Sequence, residues 1–301
     1  MSHVFTHRLA IATSSMVPGI HPDDQHLADA LRSLGIETVP CVWNDPGVDW
    51  SRYDAVLMRS TWDYFKHYAA FVEWLDRLPI PTINDKALLR WNSDKRYLPE
   101  LAAQGVDIIP TTIAAGTELR QTLARMPGQE VVVKPTVSGT AWYTARGVVG
   151  DAAFEQVVAQ LPREFEYLVQ PFVPEVVSDG EWSLLFFGGE YSHAVIKRAA
   201  AGDYRVQSDF GGTADAVDPD PALIASARRA LAAATALGHA DSAYARVDGV
   251  ICNGRFLLME LEMIEPFLHL GARPEAAERF AADLHRRLAA WPPRAPRSGA
   301  L

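Results

Sequence analysis

The sequence predicts an α/β domain at the N-terminus, followed by an α+β region that fills the rest of the chain. Over the first third, short apolar segments alternate with helical segments, a rhythm that builds a parallel sheet. From Val131 onward, apolar strands are joined by tight turns, which favours antiparallel sheets. The 301 residues suffice for about two domains.

The N-terminal third contains three predicted strands and two predicted helices. The strands are 8–13, 35–42 and 53–58, and the helices are 23–34 and 69–78. The third strand, YDAVLM, is almost wholly apolar, as suits a strand that is covered on both faces. Ligands bind outside the carboxyl ends of parallel strands, so the segment that follows, RSTWDY, is a candidate ligand contact.

The middle of the chain is predicted to be helical over 84–105, with Asn84 as the N-cap and Pro99 forcing a kink or a restart. Lys95 falls inside this helical segment. Later strands are predicted at 131–135, 166–173, 182–187, 190–197, 242–252 and 255–263, and later helices at 221–237 and 274–288. The last residues are expected to form a frayed tail.

The amino-acid composition argues against several classes of function. Asp and Glu number 37 against 28 Lys and Arg, and a net charge of −9 disfavours binding to nucleic acid or to an anionic membrane. Two cysteines are too few for a disulfide framework. The first residues do not read as a signal peptide, and no segment approaches the roughly 20 apolar residues of a membrane span. We therefore expect a cytoplasmic protein that acts on small molecules.

The most informative segment is 244–265, where two predicted strands flank a turn. Arg246 and Asp248 share one face of the first strand, and Glu260 and Glu262 share one face of the second. Carboxylates in such apolar strands need a charged partner or a metal, and three of them favour Mg²⁺ over Ca²⁺ or Zn²⁺. The alternative is an outer hairpin whose alternate residues face water.

The turn decides whether these charges share a face. A two-residue Asn253-Gly254 loop would pair Cys252 with Arg255 and split the carboxylates between the two faces. A three-residue loop that includes Cys252 would pair Ile251 with Arg255 and bring all the charges together. We predict the three-residue loop or an equivalent bulge.

Basic residues elsewhere suggest phosphate contacts. Lys134 closes the apolar strand VVVKP, and the following loop contains Gly139 and Gly147, whose backbone could cradle phosphate. An ordinary surface loop is the alternative, just as a solvated side chain is for Lys95. A third cluster with Lys197 and Arg205 reads either as a phosphate site or as a solvated basic loop.

Two further groups of residues have either a catalytic or binding role or a purely structural one. At the end of the third strand, Arg59 could clamp a carboxylate and Asp63 an ammonium, or the segment could form a turn over packed aromatic residues. Its candidate substrate residues are Arg59, Ser60, Trp62 and Asp63. His193 and His269 could act as bases, although structural roles are more usual for such histidines. Cys252 is interpreted as a small packed residue.

Taken in order, these motifs resemble the ATP-grasp superfamily of carboxylate–amine ligases, in its glutathione-synthetase and RimK-type branch. The motifs RWNSDKRYL, VVKPT, LVQPFV, EYSHAVIK, ARVD and MELE followed by EPFLHL are most similar to the O-ureido-serine cyclo-ligases of cycloserine biosynthesis. The resemblance covers about 84–270. It implies an N-terminal α/β domain (1–84), a central subdomain with a lid loop (85–168), a C-terminal subdomain with a metal site (169–292) and a tail (293–301), with nucleotide between the two subdomains.

The resemblance also implies roles for individual residues. ATP would be held by Lys95, Lys134, Gln170, Pro171, Phe172, Val173 and Glu181. Mg²⁺ would be held by Asp248, Glu260 and Glu262, the last of which replaces a common Asn. Arg246, Lys197 and Arg205 would neutralise charge during catalysis.

The implied reaction joins a carboxylate to an amine through an acyl phosphate, on a small amino-acid-like substrate and in an intramolecular or intermolecular manner. Two alternatives stay open: an ATP-grasp phosphotransferase, and a non-catalytic ATP-binding scaffold or regulator. The sequence leaves the oligomeric state open, with a homodimer as one option.

Overall fold

The computed structural model describes residues 5–291, so the predicted tail at 293–301 lies outside it. Its first sheet has four parallel strands in the order β2-β1-β3-β4. These are β1 (His7–Thr13), β2 (Ile36–Val42), β3 (Ala55–Ser60) and β4 (Thr82–Ile83). Helices α1 (Pro22–Ser33) and α2 (Tyr68–Arg77) connect them, which confirms the predicted α/β rhythm.

The helical segment after β4 is two short helices, α3 (Lys86–Asn92) and α4 (Tyr97–Ala103). Asp85, and not Asn84, caps α3 by accepting a hydrogen bond from the Leu88 amide at 2.8 Å. Asn84 has a left-handed backbone, and its side chain ties together three backbone groups of the C-terminal region. Pro99 lies in the first turn of α4, where its missing N–H has no helical partner to lose. Lys95 therefore lies in the turn between the helices, and its predicted helical placement is wrong.

The second sheet is antiparallel, with the order β5-β8-β6-β7. Its strands are β5 (Thr112–Ala115), β6 (Glu130–Pro135), β7 (Ala145–Val148) and β8 (Glu166–Pro171). Helices α5 (Leu119–Leu123) and α6 (Ala152–Ala159) cover one face and share its apolar core. Two of these strands, β5 and β7, were not predicted because each is only four residues long.

The third sheet is antiparallel, in the order β11-β10-β9-β12-β13. Its strands are β9 (Glu181–Phe187), β10 (Glu190–Arg198), β11 (Thr213–Val217), β12 (Tyr244–Cys252) and β13 (Arg255–Glu262). The remaining helices are α7 (Glu175–Ser178), α8 (Pro221–Ala236) and α9 (Glu275–Ala290). One face packs its alternate apolar residues against α4 and α8. The other face packs Leu185, Phe187 and Tyr244 against α9 and carries the polar pair Ser183 and Asp248 further along the strands.

The β12–β13 hairpin contains a correction and a confirmation. Cys252 pairs with Arg255 across a two-residue turn with positive φ at Asn253 and Gly254, so the predicted three-residue loop is wrong. A bulge between Asp248 and Gly249 shifts the register by one residue, which is the alternative that was predicted. As a result Arg246 lies opposite Glu262 and Asp248 opposite Glu260, all on one face.

Candidate active site

A cleft separates the second sheet from the third. Its walls come from β6, the end of β8, the start of β9 and the end of β13, so segments far apart in sequence meet there. The predicted site residues that line it are Lys95, Lys134, Gln170, Pro171, Phe172, Val173, Glu181, Arg205 and Glu260. The structure thus brings these residues into one cleft.

Lys95 forms an ion pair in this cleft. Its side-chain nitrogen lies 3.2 Å from Glu260 Oε1 and donates a hydrogen bond to the Ser138 carbonyl at 2.5 Å. The residue is only 6% exposed, so the solvated alternative is wrong. Burial alone would raise the pKa of Glu260, but Lys95 and Lys134 outweigh burial and hold that pKa below its ordinary value. Glu260 is therefore a carboxylate at the cleft wall.

Lys134 differs from Lys95 in its ion pairing. Among residues 5–291, no carboxylate lies within ion-pair distance of its side-chain nitrogen. Burial lowers the pKa of Lys134, while the nearby Glu260 opposes that shift. A partly buried ammonium without a paired carboxylate suits an anion that enters the cleft.

Lys197 links two carboxylates at the base of the cleft. Its side-chain nitrogen lies 2.5 Å from Glu181 Oε1 and 3.6 Å from Asp248 Oδ2. Burial raises the pKa of Glu181, because it outweighs the attraction of Lys197. Asp248 is 2% exposed and also accepts a hydrogen bond from Ser183 Oγ at 2.5 Å.

Arg246 bridges the other acidic residues of the hairpin. Its guanidinium donates to Asp248 at 2.9 Å, to Glu262 and to the Phe267 carbonyl. Burial opposes the ionisation of Asp248, but Arg246 and Lys197 outweigh it and hold the pKa of Asp248 below its ordinary value. Burial raises the pKa of Glu262 despite Arg246. Alternating charges therefore stabilise this polar face.

The three predicted metal ligands do not form a ready-made metal centre. Within the described part of the chain, no three His, Cys, Asp or Glu side chains are grouped to hold a metal ion. Asp248 and Glu262 are bound to Arg246, whereas Glu260 lines the cleft. The donors still fit Mg²⁺ in type, because Mg²⁺ binds through one or two carboxylates completed by substrate phosphates.

The wall of the cleft at the end of β8 has aromatic rings and backbone amides. Arg146 stacks on the Phe172 ring at 3.5 Å, and Tyr204 lies beside both. The Phe172 backbone N–H donates a hydrogen bond to the Glu130 carbonyl at 2.9 Å. Among the described residues, the Val173 amide donates to no other group, which leaves one free backbone donor at this wall.

The loop after β6 lies over the cleft. Thr140, Ala141 and Tyr143 have positive φ, a conformation that costs free energy in residues other than glycine. Trp142 of this loop contacts Phe65 of the N-terminal domain with ring centroids 5.4 Å apart. The loop is therefore a packed cover, and the ordinary-surface-loop alternative does not describe it.

Arg205 lies at the mouth of the cleft, where solvent reaches it. Its guanidinium pairs with Asp203 at 2.7 Å and stacks on Phe210 at 3.6 Å. The Arg205 hydrogen bonds hold the pKa of Asp203 far below its ordinary value. Arg205 can reach a ligand only from this rim.

The candidate substrate segment after β3 is mostly engaged within the protein. Arg59 is 1% exposed and donates to Asp24 at 2.9 Å and to the Pro266 carbonyl at 2.7 Å. Asp63 accepts from the Trp43 indole at 2.7 Å. These contacts favour the packed-turn alternative for both residues. Trp62 donates to the Glu265 carbonyl at 3.1 Å, and Ser60 has a buried hydroxyl without a partner among the described residues.

The two histidines and Cys252 lie outside the cleft lining. The Nε2 atom of His193 lies 2.9 Å from the Leu268 carbonyl, and burial lowers the pKa of this histidine. Burial lowers the pKa of His269 well below its ordinary value. The Cys252 thiol lies 3.2 Å from Glu175 Oε1, an interaction that raises its pKa. These contacts favour structural roles for His193 and Cys252.

Two chemically important features were missed by sequence reasoning. Ser183 supports Asp248, and period-two alternation from Glu181 could have placed Ser183 on the same strand face as Glu181. Arg146 lies on β7 and stacks on Phe172, but this short strand was not predicted, so nothing in the sequence indicated the contact. Within residues 5–291, no helix is long and apolar enough to cross a bilayer.

The fold and the cleft define an ATP-grasp ligase. Residues 9–84 match the family described as the N-terminal domain of the D-cycloserine synthetase DcsG. The chain is 37% identical over 297 residues to the cycloserine biosynthesis protein DcsG of Streptomyces lavendulae, covering 93% of this chain and 98% of that protein. This chain belongs to the ATP-grasp ligase family that contains DcsG.

Solved structures agree with this assignment. The crystal structure of D-cycloserine synthetase DcsG superposes with a TM-score of 0.84 at 36% identity, covering 93% of this chain and 99% of that one. A RimK-domain ATP-grasp protein from Sphaerobacter thermophilus superposes with a TM-score of 0.68 at 19% identity, covering 92% and 98%. The predicted family and fold are confirmed, and the chain is an ATP-dependent carboxylate–amine ligase, which sets aside the non-catalytic alternative.

Proposed function

We propose that this ligase uses ATP and Mg²⁺ to activate a small amino-acid-like carboxylate as an acyl phosphate and then closes it into a ring. The observation that carries the proposal is the convergence of Lys95, Lys134 and Glu260 in one cleft. Two ammonium groups beside a single carboxylate suit a polyphosphate and its cation. The serine-derived, cyclic product is suggested by the name of the relative DcsG.

The nucleotide base would lie against the wall formed by Gln170 to Val173. The unused Val173 amide supplies a donor there, and the Phe172 ring, stacked by Arg146, supplies an apolar face. Glu181 would accept from ribose hydroxyls, and Lys134 and Lys95 would hold the phosphates. Glu260 would hold Mg²⁺ first, because Asp248 and Glu262 must leave Arg246 to reach it. When bound, Mg²⁺ would neutralise phosphate charge.

The proposed reaction has two steps. A carboxylate oxygen attacks the γ-phosphorus, the bond to the ADP oxygen breaks, and an acyl phosphate forms. A nitrogen of the same molecule then attacks the acyl carbon, the carbon–oxygen bond to phosphate breaks, and the nitrogen loses a proton. Lys197, Arg205 and Arg246 would stabilise the charge that shifts between these oxygens.

The test is to incubate the protein with ATP, Mg²⁺ and O-ureidoserine, alongside a panel of other amino acids. We expect equal amounts of ADP and inorganic phosphate. The cyclic product should be lighter than the acid by one water, or by one carbon dioxide and one ammonia where water then removes the carbamoyl group from the ring nitrogen. Hydroxylamine should divert the acyl phosphate to a hydroxamate. Accumulation of a stable phosphorylated acid would instead indicate a phosphotransferase, and release of AMP with pyrophosphate would contradict the proposal.

A further inference from the structure

The Glu265 carboxylate stands apart from the other acidic groups near the cleft. It is 6% exposed, and within residues 5–291 no Lys, Arg or His nitrogen lies within 4.0 Å of its oxygens. Glu260, Glu262, Asp248 and Glu181 each have such a cation. A buried carboxylate without a cation is costly to ionise, so it calls for a partner from outside the chain.

The backbone around Glu265 holds this carboxylate in place. Side chains from three different strands and their flanking residues donate to four consecutive carbonyls. These bonds are Trp62 to Glu265, Arg59 to Pro266, Arg246 to Phe267 and His193 to Leu268, at 2.7 to 3.2 Å. These bonds fix the backbone from which the buried Glu265 side chain extends.

A second observation places unused polar groups on the same side of the molecule. The hydroxyls of Ser14, Ser60 and Thr61 are buried and lack hydrogen-bond partners within the described range. They follow the ends of β1 and β3, which are adjacent parallel strands. Ligands bind at this edge of a parallel sheet, and Thr61 directly precedes the Trp62 that binds the Glu265 carbonyl.

We infer that Glu265 binds the ammonium group of the amino-acid substrate. The hydroxyls of Ser60 and Thr61 would then bind uncharged polar atoms of the same substrate. The inference rests on the proposed function and deepens it, because it assigns the α-ammonium as the group that the site requires. An ammonium supplies the missing cation. Burial and the nearby Glu262 carboxylate raise the pKa of Glu265 in the free protein, because together they outweigh the opposing effects of Lys95 and of the Glu265 backbone N–H.

The experiment compares O-ureidoserine with its analogue lacking the α-amino group, in the wild type and in Glu265→Gln. We expect the substitution to raise the KM for O-ureidoserine about 10- to 100-fold, the range for a lost hydrogen bond to a charge. The kcat and the KM for ATP should change less than about threefold. The analogue should be used equally by both proteins. Glu190→Gln, at an exposed ion pair, is the matched control.

Thermal unfolding of the ligand-free proteins separates binding from folding. Glu265→Gln removes an uncompensated charge, so its Tm should equal or exceed that of the wild type, and O-ureidoserine should raise Tm only in the wild type. An unchanged KM, a lowered kcat at constant KM or a strongly lowered Tm would each overturn the inference while leaving the proposed function standing. A wild type that turns over neither compound would overturn both.

Discussion

At the residue scale, the site is a chain of compensated charges with two exceptions. Asp248, Glu260 and Glu262 are each paired with a cation of the protein. Within residues 5–291, Lys134 has no carboxylate and Glu265 has no cation within ion-pair distance. Removing the partner of a buried charge costs about 3–5 kcal/mol, so the pairing of the deeply buried Asp248 also supports the fold. We propose that Lys134 and Glu265 bind ligands instead.

Glu260→Gln tests the metal role of the cleft wall. We expect ligase turnover to fall at least about 100-fold, because a Mg²⁺ ligand and a negative charge are both lost. ADP release under saturating ATP and Mg²⁺ measures this, with Glu190→Gln as the control. Turnover within about twofold of the wild type would show that Glu260 holds no metal.

Burial of His269 should make the unfolding free energy depend on pH. Its pKa lies well below the ordinary value in the folded protein, mainly through burial, so the unfolded chain binds more protons below about pH 6.5. Stability from this group is therefore present above that pH and is lost on acidification. His269→Asn suits the left-handed backbone there and should show a smaller fall in Tm between pH 7.5 and 5.5. Equal falls in the two proteins would contradict this assignment.

At the element scale, the β12–β13 bulge decides the geometry of the site. A two-residue turn alone would put Asp248 opposite Met259, and the extra residue restores Glu260 to that position. The sequence predicted this requirement from the need to group the charges, but it could not choose between a longer turn and a bulge. The choice depends on Gly249, where a Cβ atom would collide with the Leu257 carbonyl and the Phe256 ring.

Gly249→Ala is expected to disturb this bulge. The collision with backbone should cost about 1–3 kcal/mol of unfolding free energy and lower turnover by misplacing Glu260. Denaturant unfolding together with ADP release measures both effects. Gly19→Ala is the matched control, because no atom lies within 4 Å of its added Cβ. A Gly249→Ala protein that matches the Gly19→Ala protein would show that the bulge tolerates a side chain.

The limits of sequence reasoning are also clearest at this scale. Period-two alternation grouped Arg246 with Asp248 and Glu260 with Glu262, and the predicted bulge brings the two pairs to one face, as the structure confirms. The substrate roles of Arg59 and Asp63 lack support because their partners, Asp24 and Trp43, come from other elements, and pairing across elements leaves no local pattern. Glu265 was missed for the same reason: its lack of a partner is visible only in three dimensions.

At the scale of the whole molecule, the net charge of the chain is negative, whereas the cleft contains several lysines. The chain carries −9, yet Lys95 and Lys134 line one cleft, and Lys197 pairs with Glu181 of its wall. The four-stranded and five-stranded antiparallel sheets form the nucleotide cleft, and the parallel sheet contributes residues that meet the segment after β13. Family and fold could be predicted from ordered motifs, whereas side-chain pairing could not.

ATP binding should stabilise the whole molecule. At ATP and Mg²⁺ concentrations about 100 times the Kd, mass action adds about 2.7 kcal/mol to the unfolding free energy. Thermal unfolding with and without ATP and Mg²⁺ measures the shift. Lys134→Met should fold as well as the wild type, because no carboxylate of residues 5–291 pairs with the Lys134 ammonium, and it should lose most of the shift. A full shift in Lys134→Met would remove Lys134 from the phosphate site.

The most direct test of the acyl-phosphate ligase is isotope transfer. O-ureidoserine labelled with ¹⁸O in its carboxylate is turned over with ATP and Mg²⁺, and the released phosphate is analysed by mass spectrometry. Attack of the carboxylate on the γ-phosphorus predicts one ¹⁸O atom in the inorganic phosphate for each product formed. Product formation with unlabelled phosphate, or with label in AMP, would contradict the account.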